Sequence, residues 1–217
     1  MASPSLPPCQ GIDTPSPLPP AFCTCRRDAA CPVSTGGREE GARRPAPGGG
    51  LLTRPTRRRR AGTPLAKHTF LFYGAGEAGA GIADLIAEAI AAEAGGAVSL
   101  RDARARIFMM DSKGLVTSAR TGLAHHKLNY AHDAAPCGTL LECIDALKPS
   151  ALIGVAAVAK AFTKEVVEAM AALNDAPLIF ALSNPTSKAE CLAAEAYEWS
   201  GGRAVFASGS PMEGATV

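Results

Sequence analysis

The chain is poor in aromatic residues, which make up 5% of its 217 positions and include a single tryptophan. Stacking platforms for nucleic-acid bases need aromatic side chains beside basic ones. None interleaves with the densest basic run, Arg57-Arg58-Arg59-Arg60, so nucleic acid is not an expected partner. No apolar run approaches the ~20 residues of a membrane-spanning helix, and none has the length and setting of a signal-peptide core. A membrane role is therefore not expected. There is no Cys-x-x-Cys pair, and the seven cysteines are an odd number. That argues against a fully paired disulfide framework, and Cys23-x-Cys25 with Cys31 and no nearby histidine is a poor zinc signature. Cys137, Cys143 and Cys191 read as small core residues on helices, which points to a reducing compartment. His125, His126 and His132 lack carboxylates at ligand spacing, apart from Asp133, and read as solvated surface. No Ser-His-Asp or Cys-His arrangement can be argued.

Composition divides the chain near Thr63. Residues 1–66 hold twelve of the seventeen prolines, with ten arginines against four acidic residues, a net charge of +6. The remaining 151 residues carry twelve basic and sixteen acidic side chains, a net of −4. Residues 1–66 are expected to form a disordered low-complexity tail, and 67–217 a folded domain large enough to bury a core. An Arg-rich, acid-poor tail also resembles a transit segment. A cytoplasmic location is expected, or a chloroplast or mitochondrial one if the tail is such a segment.

Within the domain, Phe70-Leu71-Phe72-Tyr73 reads as a buried strand and runs directly into Gly74-Ala75-Gly76-Glu77-Ala78-Gly79. Ile82, Leu85, Ile86, Ala89 and Ile90 then recur at helical spacing. Strand, glycine turn and helix are the setting in which this fingerprint binds a dinucleotide. The first glycine makes the tight turn, the second lets pyrophosphate approach the backbone, and the third lets helix and strand pack closely. The helix N-terminus supplies N–H donors and a favourable dipole. A glycine-rich turn that binds nothing is the competing reading.

Further strands are predicted over 107–110, 151–155, 177–182 and 203–207. Helices are predicted over 139–147, from about 163 with Val166, Val167, Met170 and Leu173 buried, and after a Ser187-x-x-Glu190 capping box. The alternation predicts an α/β fold, a Rossmann-type doubly wound parallel sheet. Ligands of such sheets lie beyond the carboxyl ends of the strands. That edge would collect the glycine turn, Asp111, Gly154 to Ala157 with Val155 and Ala156 toward the cofactor, Asn184, and Ser208-Gly209. Asp111 could accept from an adenosine ribose. Ser112, beside Lys113, Arg120 and Lys127, suits a 2′-phosphate better than a bare diol. Asn184, just before Pro185, offers an amide to a nicotinamide or a substrate carboxylate.

Five segments together resemble malic enzyme, specifically the NAD(P)-binding domain of its NADP-dependent type. They are Phe70 to Ala78, Asp111-Ser112-Lys113-Gly114-Leu115, Lys148 to Ala156, Ile179 to Cys191, and Phe206-Ala207-Ser208-Gly209-Ser210-Pro211. The resemblance implies oxidative decarboxylation of malate to pyruvate and CO2, with NADP or NAD, a divalent Mg or Mn ion, and a homo-oligomer. It implies that Gly74, Ala75, Gly76, Glu77, Ala78 and Gly79 bind pyrophosphate and that Asp111 lies by the ribose. Ser112 matches the NADP-using pattern, and Lys127 matches the family's 2′-phosphate lysine across a one-residue gap. Asn184 matches the asparagine near nicotinamide and malate.

The family's catalytic tyrosine, base lysine, substrate arginine and acidic metal ligands precede the glycine turn, where this sequence has the Pro/Arg tail. A later asparagine segment is expected beyond Val217. The sequence thus predicts a domain incomplete at both ends that positions cofactor and does not decarboxylate malate alone. Alternatives are a non-catalytic partner of a full-length homologue, a basic-tail nucleic-acid binder, and another dehydrogenase of the same fold.

Overall fold

The computed structural model describes residues 63–215. The arginine run and the cysteines of the tail lie outside the described residues. Among the described residues, six strands form one sheet: β1 (Phe70–Tyr73), β2 (Ile107–Asp111), β3 (Gly114–Leu115), β4 (Ala151–Gly154), β5 (Leu178–Ala181) and β6 (Val205–Ser208). Their spatial order is β3-β2-β1-β4-β5-β6. Five strands are parallel, and β3 runs antiparallel to β2. The order reverses between β1 and β4, which makes that point the switch crevice of a doubly wound sheet.

Among the described residues, five α-helices flank the sheet: α1 (Glu77–Glu93), α2 (Leu100–Arg104), α3 (Leu140–Leu147), α4 (Lys164–Leu173) and α5 (Ala193–Trp199). A short 3-10 segment, His125–Tyr130, lies between β3 and α3. Alternation along the central strands separates two cores. Phe70, Phe72, Ile107, Met109 and Ile153 face α1 and α2. Leu71, Met110, Leu152, Ile179 and Phe206 face α3, α4 and α5. Residues i and i+2 share a strand face, so each strand feeds both cores. That is why the strands of the β1–β4 centre are apolar throughout.

The all-parallel expectation needs one correction. Asp111 pairs with Gly114 across the two residues Ser112 and Lys113, so β2 turns back at once into β3. Gly114 has φ +100°, and a Cβ there would lie 2.4 Å from the Cys137 carbonyl oxygen. A two-residue strand leaves no periodicity to read, and the hairpin shows only through its glycine.

The buried face of α1 also differs from expectation. Gly79, Ala80, Ala83, Ala87 and Ile90 face the sheet, whereas Leu85 is 67% exposed and Ala89 is exposed. Small residues let the helix backbone approach the strands, and larger ones are displaced to the flank. On α4, Val166, Val167 and Met170 are buried as expected, but the fourth buried residue is Ala171, and Leu173 stays 37% exposed. Ser187-x-x-Glu190 forms no capping box. Thr186–Lys188 is a 3-10 turn and Glu190 turns inward. Helix α5 starts three residues later, where Glu195 accepts from the Leu192 N–H at 2.8 Å. Thr139 and Glu142 do form a reciprocal capping box on α3.

Candidate cofactor site

Three glycines shape the turn after β1, each for a different reason. Gly74 has φ +119°, and a Cβ on it would sit 2.7 Å from the Val155 carbonyl carbon and 2.8 Å from the Ala156 nitrogen. The turns after β1 and β4 therefore touch backbone to backbone, and only glycine satisfies both conditions. Gly79 packs against the same corner, where a Cβ would meet the Gly74 oxygen at 2.8 Å and Val155 Cγ2 at 3.1 Å. At Gly76 a Cβ would meet nothing within 4 Å. That position is exposed and opens outward at the N-cap of α1. Packing demands a glycine at the first and third positions and does not at the second, where the open face suits a close-approaching phosphate. Ala75 is buried, while Glu77 and Ala78 are exposed in the first turn of the helix.

Asp111, at the end of β2, is the most heavily bonded acid of the region. Its Oδ1 accepts from the Lys113 N–H at 2.9 Å and from Arg120 Nη1 at 3.1 Å. Its Oδ2 accepts from Arg120 Nη2 at 3.0 Å and from Lys127 Nζ at 2.7 Å. Four donors thus meet a carboxylate with about four lone-pair sites. Burial pushes its pKa upward, but the bonds from Arg120, Lys127 and the Lys113 amide outweigh it and hold the carboxyl at about 2. Asp111, Ser112, Lys113, Arg120, Thr121 and Lys127 line a cavity of about 490 Å³. Ser112 sits exposed at the hairpin tip. One acidic and three basic side chains give this wall a positive balance.

The 3-10 segment His125–Tyr130 delivers Lys127 to this cavity, and its neighbours tie it in place. His126 is not solvated surface. Its Nε2 is 3.0 Å from the Ala75 oxygen, and its Nδ1 is 2.7 Å from Glu77 Oε1. Tyr130 is fully buried and donates its hydroxyl to Asp84 of α1 at 2.7 Å. Burial and Asp84 together raise its pKa. His132 also packs inward, with Nε2 2.7 Å from the Ile107 oxygen and its ring against Phe108. His125 is exposed, as expected. The sequence signal for His126 was weak because the contact joins segments 51 residues apart.

The other end of the crevice is built from the turns after β4, β5 and β6. Val155 and Ala156 lie half-buried beside Gly74. Asn184 is exposed and its Oδ1 accepts from the Ser210 hydroxyl. Ser208 in turn donates to the Ser210 carbonyl at 2.7 Å. The strand-end residues named from the sequence therefore share one edge, but they form two groups. The glycine turn, Asp111, Ser112 and Lys127 stand on the β1–β2 side. Val155, Ala156 and Asn184 stand on the β4–β5 side.

Cys137, Cys143 and Cys191 are all buried free thiols, as expected, though only Cys143 lies on a helix. Burial pushes Cys143 and Cys191 up to about 12, so neither presents a reactive thiolate. Among the described residues, no group of three His, Cys, Asp or Glu side chains could hold a metal ion. The divalent ion implied by the resemblance finds no ligand set there. No described helix is long and apolar enough to cross a membrane.

Residues 52–217 match the family model for the malic enzyme NAD binding domain. The chain is 58% identical over 153 residues to NADP-dependent malic enzyme 3 of Arabidopsis thaliana, an alignment covering 70% of this chain and 26% of that protein. It is 53% identical over 152 residues to the chloroplastic NADP-dependent malic enzyme of Solanum lycopersicum, again covering 70% of this chain and 26% of the relative. It is 54% identical over 153 residues to the NADP-dependent malic enzyme of Phaseolus vulgaris, with the same coverage. The chain thus spans about a quarter of the length of the curated relatives it matches. With the family model covering most of its length, the chain belongs to the malic enzymes, of which it carries the NAD-binding domain.

Proposed function

We propose that this domain binds NADP in preference to NAD and holds it as hydride acceptor for the oxidative decarboxylation of malate to pyruvate and CO2. The observation that carries the cofactor reading is the division of labour among the three glycines. Two are demanded by backbone contact, and one is open where a pyrophosphate would lie. The N–H groups of the first turn of α1 then face the phosphates.

The preference for NADP rests on Asp111. A carboxylate that reads a ribose diol needs free acceptor sites. Here Arg120, Lys127 and the Lys113 amide already occupy both oxygens. In this reading Asp111 acts as an anchor that fixes two cations, and Ser112, Arg120 and Lys127 receive a 2′-phosphate. The names of the relatives support the same cofactor.

On the other side, Asn184 is proposed to lie beside the nicotinamide ring or the malate carboxylate. The described residues supply no group of three candidate metal ligands, so no chemical step through a metal is assigned to them. The residues 67–217 are proposed to act as one cofactor domain, working with the acid–base and metal chemistry of a malic enzyme. The relatives named as chloroplastic make that organelle a candidate location.

Fluorescence titration of the purified chain with NADPH and NADH tests the proposal. Saturable NADPH binding at least about tenfold tighter than NADH is expected from one added phosphate on two cations. No binding of either would overturn it. The chain on its own is expected not to reduce NADP with malate and Mn, and measurable turnover would refute that part.

A further inference from the structure

Glu190 is the one fully buried carboxylate among the described residues, at 0% exposure, and the function proposed above gives it no task. It lies between the turns that follow β4 and β5. Its Oε1 accepts from the Ser183 hydroxyl at 2.5 Å and from the Ala156 N–H at 3.4 Å, and its Oε2 accepts from the Ser183 N–H at 3.5 Å. Every partner is a donor. The Ser183 oxygen also accepts from the Ala157 N–H at 2.9 Å. The carboxylate and the Ser183 hydroxyl together tie the end of β5 to two successive residues after β4. Space has been cleared for it, because a Cβ on Gly154 would lie 2.4 Å from Glu190 Cδ.

The segment it holds is not relaxed. Ala157 and Lys160 have φ of +53° and +59°, a left-handed region that side chains other than glycine occupy at a cost. Such conformations persist only where the surroundings over-determine them. Here the surroundings are Glu190 and its neighbours. The Lys160 N–H donates to the Ala189 oxygen at 3.1 Å, and the Phe162 N–H donates to the Glu190 oxygen at 3.0 Å. Lys160 Nζ also pairs with Glu195.

What this place requires is a defined wall. The glycine turn fixes the pyrophosphate at the switch point, and the β2 side takes the adenosine ribose. The remaining half of the dinucleotide must then run over the turns after β4 and β5. We propose that Glu190, through Ser183, is a positioning residue for the nicotinamide half of the cofactor. It holds Ala156-Ala157 and Ser183-Asn184 in the one arrangement that receives the ring. This inference rests on the cofactor reading above and deepens it.

Two ligands separate the halves. NADPH touches both sides of the crevice, whereas adenosine 2′,5′-bisphosphate reaches only the β1–β2 side. Glu190→Gln puts an amide donor among the donors of Ser183 and Ala156, and Ser183→Ala removes the bridging hydroxyl with little change of volume. Each variant of the full chain is expected to bind NADPH about tenfold more weakly, with affinity for the bisphosphate held within about twofold. Unchanged NADPH affinity in both variants would overturn the proposal. An equal loss of both ligands in both variants would also overturn it, since that is the mark of general damage to the fold. Should Glu190→Gln not fold, Ser183→Ala decides alone, and retained bisphosphate binding is the check that it has folded. If the unaltered chain binds neither ligand, it is the cofactor reading that fails.

Discussion

The two ends of the crevice are built from different materials. On the β1–β2 side, charged groups meet at partly exposed positions, with Asp111, Arg120 and Lys127 retaining 12%, 21% and 18% of their side-chain exposure. On the β4–β5 side, the central acid is fully buried, has no cation bonded to it, and is satisfied by backbone amides and one hydroxyl. The difference matches what each end would have to do. A phosphate dianion is recognised by cations held near the solvent boundary, and their attraction is screened by salt. An uncharged or singly charged ring offers no such handle, so its position must come from the shape of a rigid wall. In the proposed placement, one sheet edge carries both electrostatic and steric recognition because the polar groups of each end are buried to different depths.

The largest expected effect falls where the two ends meet. Gly74 gives the turn after β1 its contact with Val155 and Ala156. Gly74→Ala adds a clash with backbone at a positive φ and is expected to cost about 3 kcal/mol or more. Thermal unfolding measures it, and an unchanged melting temperature would mean the two turns are not in contact.

Next comes the charged side. The pKa of Asp111 is lowered from 3.8 to about 2 in the folded state. A lowered pKa stabilises the fold above the unfolded value and loses that stabilisation as pH falls through the folded value. Asp111 therefore contributes about 2 kcal/mol at neutral pH, lost between roughly pH 4 and pH 2. Denaturant melts of the protein and of Asp111→Asn should differ by that amount at pH 7 and converge towards pH 2. Curves that stay parallel would show that the ion pairs do not carry the difference.

Lys127→Ala should lower NADP affinity about tenfold, near 1.4 kcal/mol, while NAD affinity changes little. The NADP preference of the unaltered chain should also shrink at high salt. Equal losses for the two cofactors would move the 2′-phosphate away from this wall. The smallest effect on stability belongs to Gly76→Ala. With nothing near the added methyl and an extended backbone, stability should change by less than about 1 kcal/mol and in the favourable direction. Cofactor affinity should nevertheless fall. A variant that binds as tightly as the original would remove the pyrophosphate from Gly76.

Much of this was open to reading in the linear chain. Apolar runs marked β1, β2, β4, β5 and β6 to within one or two residues, because strands buried in a doubly wound sheet are apolar on both faces. Glycines following a strand at once named the turn, and the alternation of strand and helix named the class. The helix expected over 139–147 forms as α3, and the structure adds the Thr139–Glu142 capping box that starts it. The capping box read at Ser187 and Glu190 misled. Glu190 had a better set of donors in the turns after β4 and β5, and no local rule weighs a local partner against a distant one.

Sequence by itself thus determined the fold class, the location of the crevice along the chain and the family. Each depends on local patterns repeated in order. Tertiary structure alone decided how those residues are used. It showed that Asp111 is saturated by cations, that His126 braces the glycine turn, and that Glu190 sits buried beneath Gly154. It also showed that small side chains form the packing face of α1. These are contacts between segments distant in sequence, set by how closely backbones approach, and close approach is a property of the packed molecule.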